Sequence, residues 1–166
     1  KLADKPEIIS GSNIFKEGET VNSFYLPISA GVDPLTGNQL YWVDHDKNSN
    51  IVSKYKTDDV TLTANSREIV GNRIPDLYGS ITNDFSYKGI DFSILTTYSI
   101  GGEMLDGVYG SMMNVGYKGY VWHKNALRRW QQPGDITDIP KIMWDQQLRV
   151  TDKDLINASY FAIKLS

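Results

Sequence analysis

The chain has 166 residues, 40% of them hydrophobic and 22% charged, with a formal net charge of -3. That composition excludes a disordered chain, and basic residues that gather only at Lys124, Arg128 and Arg129 argue against a nucleic-acid partner. The absence of cysteine removes disulfide bridges, cysteine-bound zinc and thiol nucleophiles.

No apolar run approaches the roughly eighteen residues of a transmembrane helix, a test that does not see barrel strands because they alternate. The first twenty residues, with Gly11 and Gly18 among several charges, read as irregular. Segment 23–30 alternates, with Phe24, Leu26, Ile28 and Ala30 on one face, although Pro27 removes a ladder donor. The stretch GVDPLTG at 31–37 is a turn: Asp33 and Pro34 favour initiation and Gly37 supplies a positive φ. A short strand is expected from Gln39 to Val43. Residues 44–77 read as a polar loop broken by Gly71 and Pro75, with one further strand at Asp59–Thr63.

Two strands of about ten residues, 78–87 and 90–100, are joined by Lys88–Gly89 alone, and a two-residue turn fixes their register. Tyr87 then faces Ile90, Phe85 faces Phe92, Asn83 faces Ile94, Ile81 faces Thr96 and Gly79 faces Tyr98 on one, largely apolar, face. The other face pairs Ser86 with Asp91, Asp84 with Ser93, Thr82 with Leu95 and Ser80 with Thr97, and is polar. Gly101–Gly102 ends the second strand. A helix is expected over about 122–132, where Trp122, Ala126 and Trp130 share a face before Pro133–Gly134 stops it. The last segment, 157–166, alternates again, with Phe161, Ile163 and Leu165 on one side.

A minimal turn at 88–89 contrasts with long connections at about 31–77 and 101–156. Transmembrane β-barrels have this asymmetry, with short periplasmic turns and long external loops. The fold expected is therefore all-β: a fragment of a large antiparallel transmembrane β-barrel, with staves at about 23–30, 78–87, 90–100 and 157–166. A soluble extracellular β-sandwich that binds glycans is the alternative, since its strands alternate too. Four or so strands cannot close a barrel, and the chain starts at Lys1 without an initiator Met and stops at Ser166 inside an alternating segment, so a piece of a longer protein is expected.

Little in the sequence carries chemistry. His45 and His123 are the only histidines and stand far apart, without a nucleophile elbow. Asp44, Asp46 and Asn48 recur at every second position as calcium ligands do, but Ser49 replaces the turn glycine and Tyr55 stands where a bidentate Glu belongs. Asp58 and Asp59 are further oxygen donors nearby. Glu103, Asp106, Asp135, Asp138, Asp152 and Asp154 offer carboxylate pairs only on paper. No catalytic residue, metal site or cofactor is expected. Trp122 and Trp130 are the candidate ligand contacts, as stacking faces for a sugar ring or a peptide; the competing role for both is to pin their loop onto the barrel.

The words AGVDPLTGNQLYWVD (30–44), GNRIPDLYGSITNDFSYKGIDFSI (71–94), ALRRWQQPGD (126–135) with IP at 139–140, and DLINASYFAIKLS (154–166) occur in this order. In that order they resemble the C-terminal barrel portion of SusC/RagA-type TonB-linked outer-membrane transporters, over about residues 18–166. The resemblance implies a barrel of about 22 strands filled by a plug, placed in the bacterial outer membrane and in contact with lipid. It also implies import of oligosaccharides or peptides with energy from the TonB complex, and a SusD-like lipoprotein over the external loops.

Overall fold

The structure, a computed structural model, describes residues 7–114, 116, 119, 121–144 and 149–166. Residues 1–6 and parts of the 101–156 connection lie outside them; the stretch expected to be irregular instead forms two paired strands within residues 7–16, because Gly11, at positive φ, turns the chain between them.

The N-terminal half builds one sheet. Strands β1 (Glu7–Ser10), β2 (Asn13–Lys16), β3 (Ser23–Val32), β4 (Gln39–His45) and β5 (Ile51–Thr57) are hydrogen-bonded in that order, and β6 (Arg67–Gly71) also pairs with β3. Alternation decides the core: Phe24 and Leu26 of β3, Ile14 of β2, and Tyr41 and Val43 of β4 are buried. Pro27 stands at the end of the β6 ladder, where β3 passes from β6 to β4 as partner, so its missing donor falls at a junction.

The strand expected at 23–30 is thus present, but it is the centre of this sheet and has no pairing with the hairpin strands. The 44–77 segment is more ordered than its polarity suggested, with β5 and β6 inside it. Asp59–Thr63 is not a strand: Asp59 caps a 3-10 turn, Val60–Ala64, by accepting from the Thr61 backbone N–H at 3.0 Å.

A second sheet of three strands follows, ordered β11–β8–β7: β7 (Leu77–Tyr87), β8 (Ile90–Ile100) and β11 (Tyr160–Leu165). The register of β7 on β8 is the one a two-residue turn dictates, from Tyr87 opposite Ile90 to Gly79 opposite Tyr98. Lys88 and Gly89 both have positive φ, 50° and 85°, as a type I′ turn needs. On β11, Phe161 lies opposite Tyr98, Ile163 opposite Thr96 and Leu165 opposite Ile94, so one face collects Phe85, Phe92, Ile94, Phe161 and Ile163. That face is open: Phe85 is 57% exposed, Phe161 66% and Ile163 58%, and among the described residues no second sheet covers it.

All three strands break at one level. Residues 72–76, Gly101–Gly102 and 158–159 interrupt them side by side. Asp76 N–H donates to the Ile100 carbonyl (2.9 Å), Glu103 N–H to Asn72 (2.8 Å), Ala158 N–H to Gly102 (3.0 Å), and Gly101 N–H to the Ser159 hydroxyl (2.9 Å). Asn72 and Asn157 turn the chain there, each side-chain oxygen accepting a backbone N–H two residues on. Beyond this waist, β9 (Glu103–Leu105) and β10 (Leu155–Asn157) resume the pairing.

Between β9 and β10 a short helix, α1 (Gly107–Met113), and 3-10 turns at Lys124–Arg128 and Asp152–Asp154 enclose a small apolar core of Met113, Ala126 and Ile139. The helix expected over 122–132 is only the Lys124–Arg128 turn. The backbone N–H of Trp130 donates to Ile139 instead of to a preceding turn, which takes Trp130 out of any helix. The helix that does form has a weak sequence signal, because Gly107 and Gly110 lower the helix propensity of a segment whose start Asp106 caps through the Tyr109 N–H at 2.9 Å.

Candidate functional site

The two candidate tryptophans have different surroundings. Trp122 is 49% exposed. Trp130 is half-buried: its indole N–H donates to the Pro34 carbonyl at 2.9 Å, and its ring lies over Gly37. The same Pro34 carbonyl accepts from Gly134 N–H (2.8 Å), Lys141 N–H donates to Gly37 (2.9 Å), and Lys141 Nζ donates to Thr36 (2.9 Å). The β3–β4 turn and the 130–141 loop are thereby clasped together. Asp33 holds that turn by accepting from the Leu35 N–H and the Thr36 hydroxyl. These bonds, the Thr36 hydroxyl foremost, hold its carboxyl below the usual range.

Below the clasp is a cavity of about 220 Å³, bounded by the start of β4, α1, residues 138–140 and residues 149–154. Gln39, Asp106, Asp154, Tyr109 and Met113 are among its lining residues. Neither the cavity nor the clasp is visible in sequence spacing, since both join segments about a hundred residues apart.

Four of the carboxylates that pair on paper are occupied in local structure, whereas among the described residues Glu103 Oε2 is buried with no hydrogen-bond partner. Asp106 caps α1, Asp135 accepts from the Gln131 and Gln132 N–H groups, Asp152 accepts from Ser29 N–H at 2.7 Å, and Asp154 accepts from Thr151 N–H at 2.8 Å. Burial, and then the neighbouring Asp152 and Asp106 charges, push the Asp154 carboxyl above the usual range against its bonds to Thr151.

The calcium-like run is likewise spent on its own turn. Asp46 accepts from Asn48 N–H (2.8 Å), Asn50 N–H (2.9 Å) and Asn50 Nδ2 (3.0 Å), and the Asn50 contacts hold its carboxyl below the usual range. Asp44 turns to His45, Asp58 accepts from Asn38 and Asp59 caps its 3-10 turn. Among the described residues no three His, Asp or Glu side chains are placed to hold a metal ion.

One grouping went unseen in the sequence: Asp44, His45 and Ser66 meet. His45 Nδ1 lies 2.7 Å from Asp44 Oδ1 and 3.4 Å from Ser66 Oγ. Both contacts fall on one ring nitrogen, whereas a hydrolytic triad places acid and nucleophile on opposite nitrogens, so no proton relay runs through this imidazole. The Ser66 hydroxyl instead accepts the Asp44 backbone N–H at 3.1 Å.

No family model matches the chain. It is 24% identical over 157 residues to TonB-dependent receptor P3 of Formosa agariphila, covering 92% of this chain and 15% of that protein. It is 29% identical over 182 residues to TonB-dependent receptor P39 of the same organism, covering 86% and 17%. The chain therefore spans about a sixth of the length of these curated relatives. Among solved structures, the RagAB peptide transporter is matched with a TM-score of 0.74 at 26% identity, and the RagAB peptide importer in its closed-closed state with 0.77 at 25%. Each match covers 97% of this chain and 18% of the other. In sequence and in its antiparallel β architecture, the chain resembles a segment of SusC/RagA-type TonB-dependent β-barrel transporters of the outer membrane.

Proposed function

We propose that the chain is the part of a TonB-dependent outer-membrane importer of oligosaccharides or peptides that supplies β7, β8 and β11 as barrel staves. On this reading the β1–β6 sheet and residues 106–154 stand on the external side. A SusD-like surface lipoprotein covers that side, the TonB complex drives transport through a plug elsewhere in the protein, and the chain itself does no catalysis. Trp122, half exposed, offers its ring to passing substrate, and Trp130 holds its loop in place.

The open apolar face of the β7–β8–β11 sheet carries the proposal. Strands of 11 residues, rising about 3.3 Å each and tilted by about 45°, reach roughly 25 Å across, the height of a barrel's lipid-facing band. In a soluble sandwich Phe85, Phe92, Phe161 and Ile163 would meet another sheet about 10 Å away.

The test is Phe92→Arg in the full-length protein, with Thr82→Arg on the opposite, polar face as control. An arginine on the lipid face costs about 2–4 kcal/mol at the bilayer midplane and less toward the interface, and Phe92 is the third residue of β8, so the heat-modifiable folded band weakens in outer membranes for Phe92→Arg only, and uptake of labelled oligosaccharide or peptide by intact cells falls with it. Uptake of neither class by cells making the unaltered protein overturns the importer reading.

A further inference from the structure

The polar face of the β7–β8–β11 sheet carries two aromatic side chains that its hydroxyl-rich surroundings do not account for. Tyr78, Ser99 and Tyr160 stand opposite one another across the three strands, and Ser80, Thr97 and Ala162 form the next row on the same face. Tyr78 is 77% exposed and Tyr160 57%, whereas Ser99 between them is buried. Among the described residues neither phenol hydroxyl has a hydrogen-bond partner. Anchoring at a membrane interface does not explain the pair, because lipid-facing aromatics belong to the opposite face, with Phe85 and Phe161.

Strand spacing sets the width between the two rings. Neighbouring strands lie about 4.8 Å apart and side chains stand roughly perpendicular to the sheet, so the tyrosines are about 10 Å apart with only a serine between them. A flat group touching both rings needs about 7 Å, and a puckered saturated ring with C–H bonds on both faces needs about 8–9 Å. The slot therefore suits the puckered ring, and the small side chains of the next row leave its floor clear. On the waist side, Asp76 stands two residues before Tyr78, about 7 Å along the strand. Its carboxylate lies over Gly101, is exposed, and among the described residues accepts no hydrogen bond and joins no ion pair. An ionised carboxylate accepts from hydroxyl groups and donates none, which complements a ring that carries hydroxyls at its edge.

We propose that Tyr78, Tyr160 and Asp76 form a subsite for one neutral sugar ring of an oligosaccharide, held between the two phenol rings with a ring hydroxyl donating to the Asp76 carboxylate. The proposal rests on the importer reading, which places this polar face in the lumen, and it selects oligosaccharide over peptide as the cargo. The subsite lies directly below the waist, where a chain arriving from the external side first meets the wall of the stem.

The experiment is calorimetric titration of the full-length protein in detergent with maltohexaose, cellohexaose, laminarihexaose, mannohexaose and xylohexaose, and with hexa-alanine as the peptide probe. At least one hexasaccharide binds, and Tyr78→Ala, Tyr160→Ala and Asp76→Ala each weaken it about tenfold. Tyr78→Phe and Tyr160→Phe keep the ring faces and change the affinity by less than about threefold. All five variants keep the heat-modifiable folded band. Binding of hexa-alanine alone, no binding of any probe, or an affinity that any of the three alanine variants leaves unchanged overturns the proposal. Loss of the folded band in Tyr78→Ala and Tyr160→Ala also overturns it, since the rings would then be packing against the protein itself. Purified protein is titrated without transport, so failure here is distinct from failure of the importer reading, which is scored by uptake.

Discussion

Trp130 covers Gly37 so closely that a Cβ built on the glycine would lie 2.4 Å from two ring carbons, and Gly37 itself has φ +72°. Only glycine satisfies both demands at once. The pairing joins the β3–β4 turn to a loop almost a hundred residues later, and it is the firmest point of the clasp.

Gly37→Ala should therefore spring the clasp without unfolding the stem. Limited proteolysis of outer-membrane vesicles should show faster cleavage within residues 121–144. Gly18→Ala, also at positive φ but with open space around it, should leave the cleavage rate near that of the unaltered protein. Equal rates in both variants would mean that the ring contact contributes nothing beyond backbone strain.

Gly102→Ala tests the waist. Gly102 has φ +71°, and an added Cβ would lie 3.1 Å from the Arg73 carbonyl oxygen and 3.2 Å from the Pro75 nitrogen, both backbone atoms that cannot swing aside. A loss of about 1–3 kcal/mol is expected from strain at such a position. Urea titration of the heat-modifiable band should show a lower midpoint, and an unchanged midpoint would count against the tight approach.

Asp154 sets a pH dependence whose sign follows from its raised folded value. Between the ordinary carboxyl value of 3.8 and that raised value, the folded state holds more protons than the unfolded one, so local stability falls as pH rises through this window. Hydrogen exchange in the 149–158 segment, corrected for intrinsic rates, should show protection decreasing from about pH 3.8 upward. Asp154→Asn should flatten that profile while keeping an oxygen acceptor for Thr151. An unaltered profile in the variant would place the dependence on another group.

The stem was legible because a two-residue turn leaves no freedom in register: once Lys88–Gly89 was a turn, every facing pair from Tyr87–Ile90 to Gly79–Tyr98 followed. The outer part was much less so. Strand β5, IVSKYKT, carries Lys54 and Lys56 on a sheet edge and reads as loop when judged by polarity. Strand β3 reads as a stave until its partners are known, because alternation reports that one face is buried and not against what. The words NRIP and NAS, separate in the chain, meet at the waist through Gly101–Gly102, and no local pattern announces that meeting. The same holds for Trp130 and Gly37. Each candidate residue was visible as a type, but its role depended on a partner supplied by tertiary structure.

The alignment of the three interruptions also bears on how such a chain can vary. A residue gained or lost within 77–100 turns every following side chain of that strand to the other face, placing Ser86 and Asp84 where Phe85 and Tyr87 belong. Past the waist that penalty vanishes, because the Asn72 and Asn157 turns and the two glycines reset the register before β9 and β10 begin. Length changes are thus best tolerated beyond the waist, where the chain can be rebuilt independently while the β7–β8–β11 sheet keeps a single arrangement.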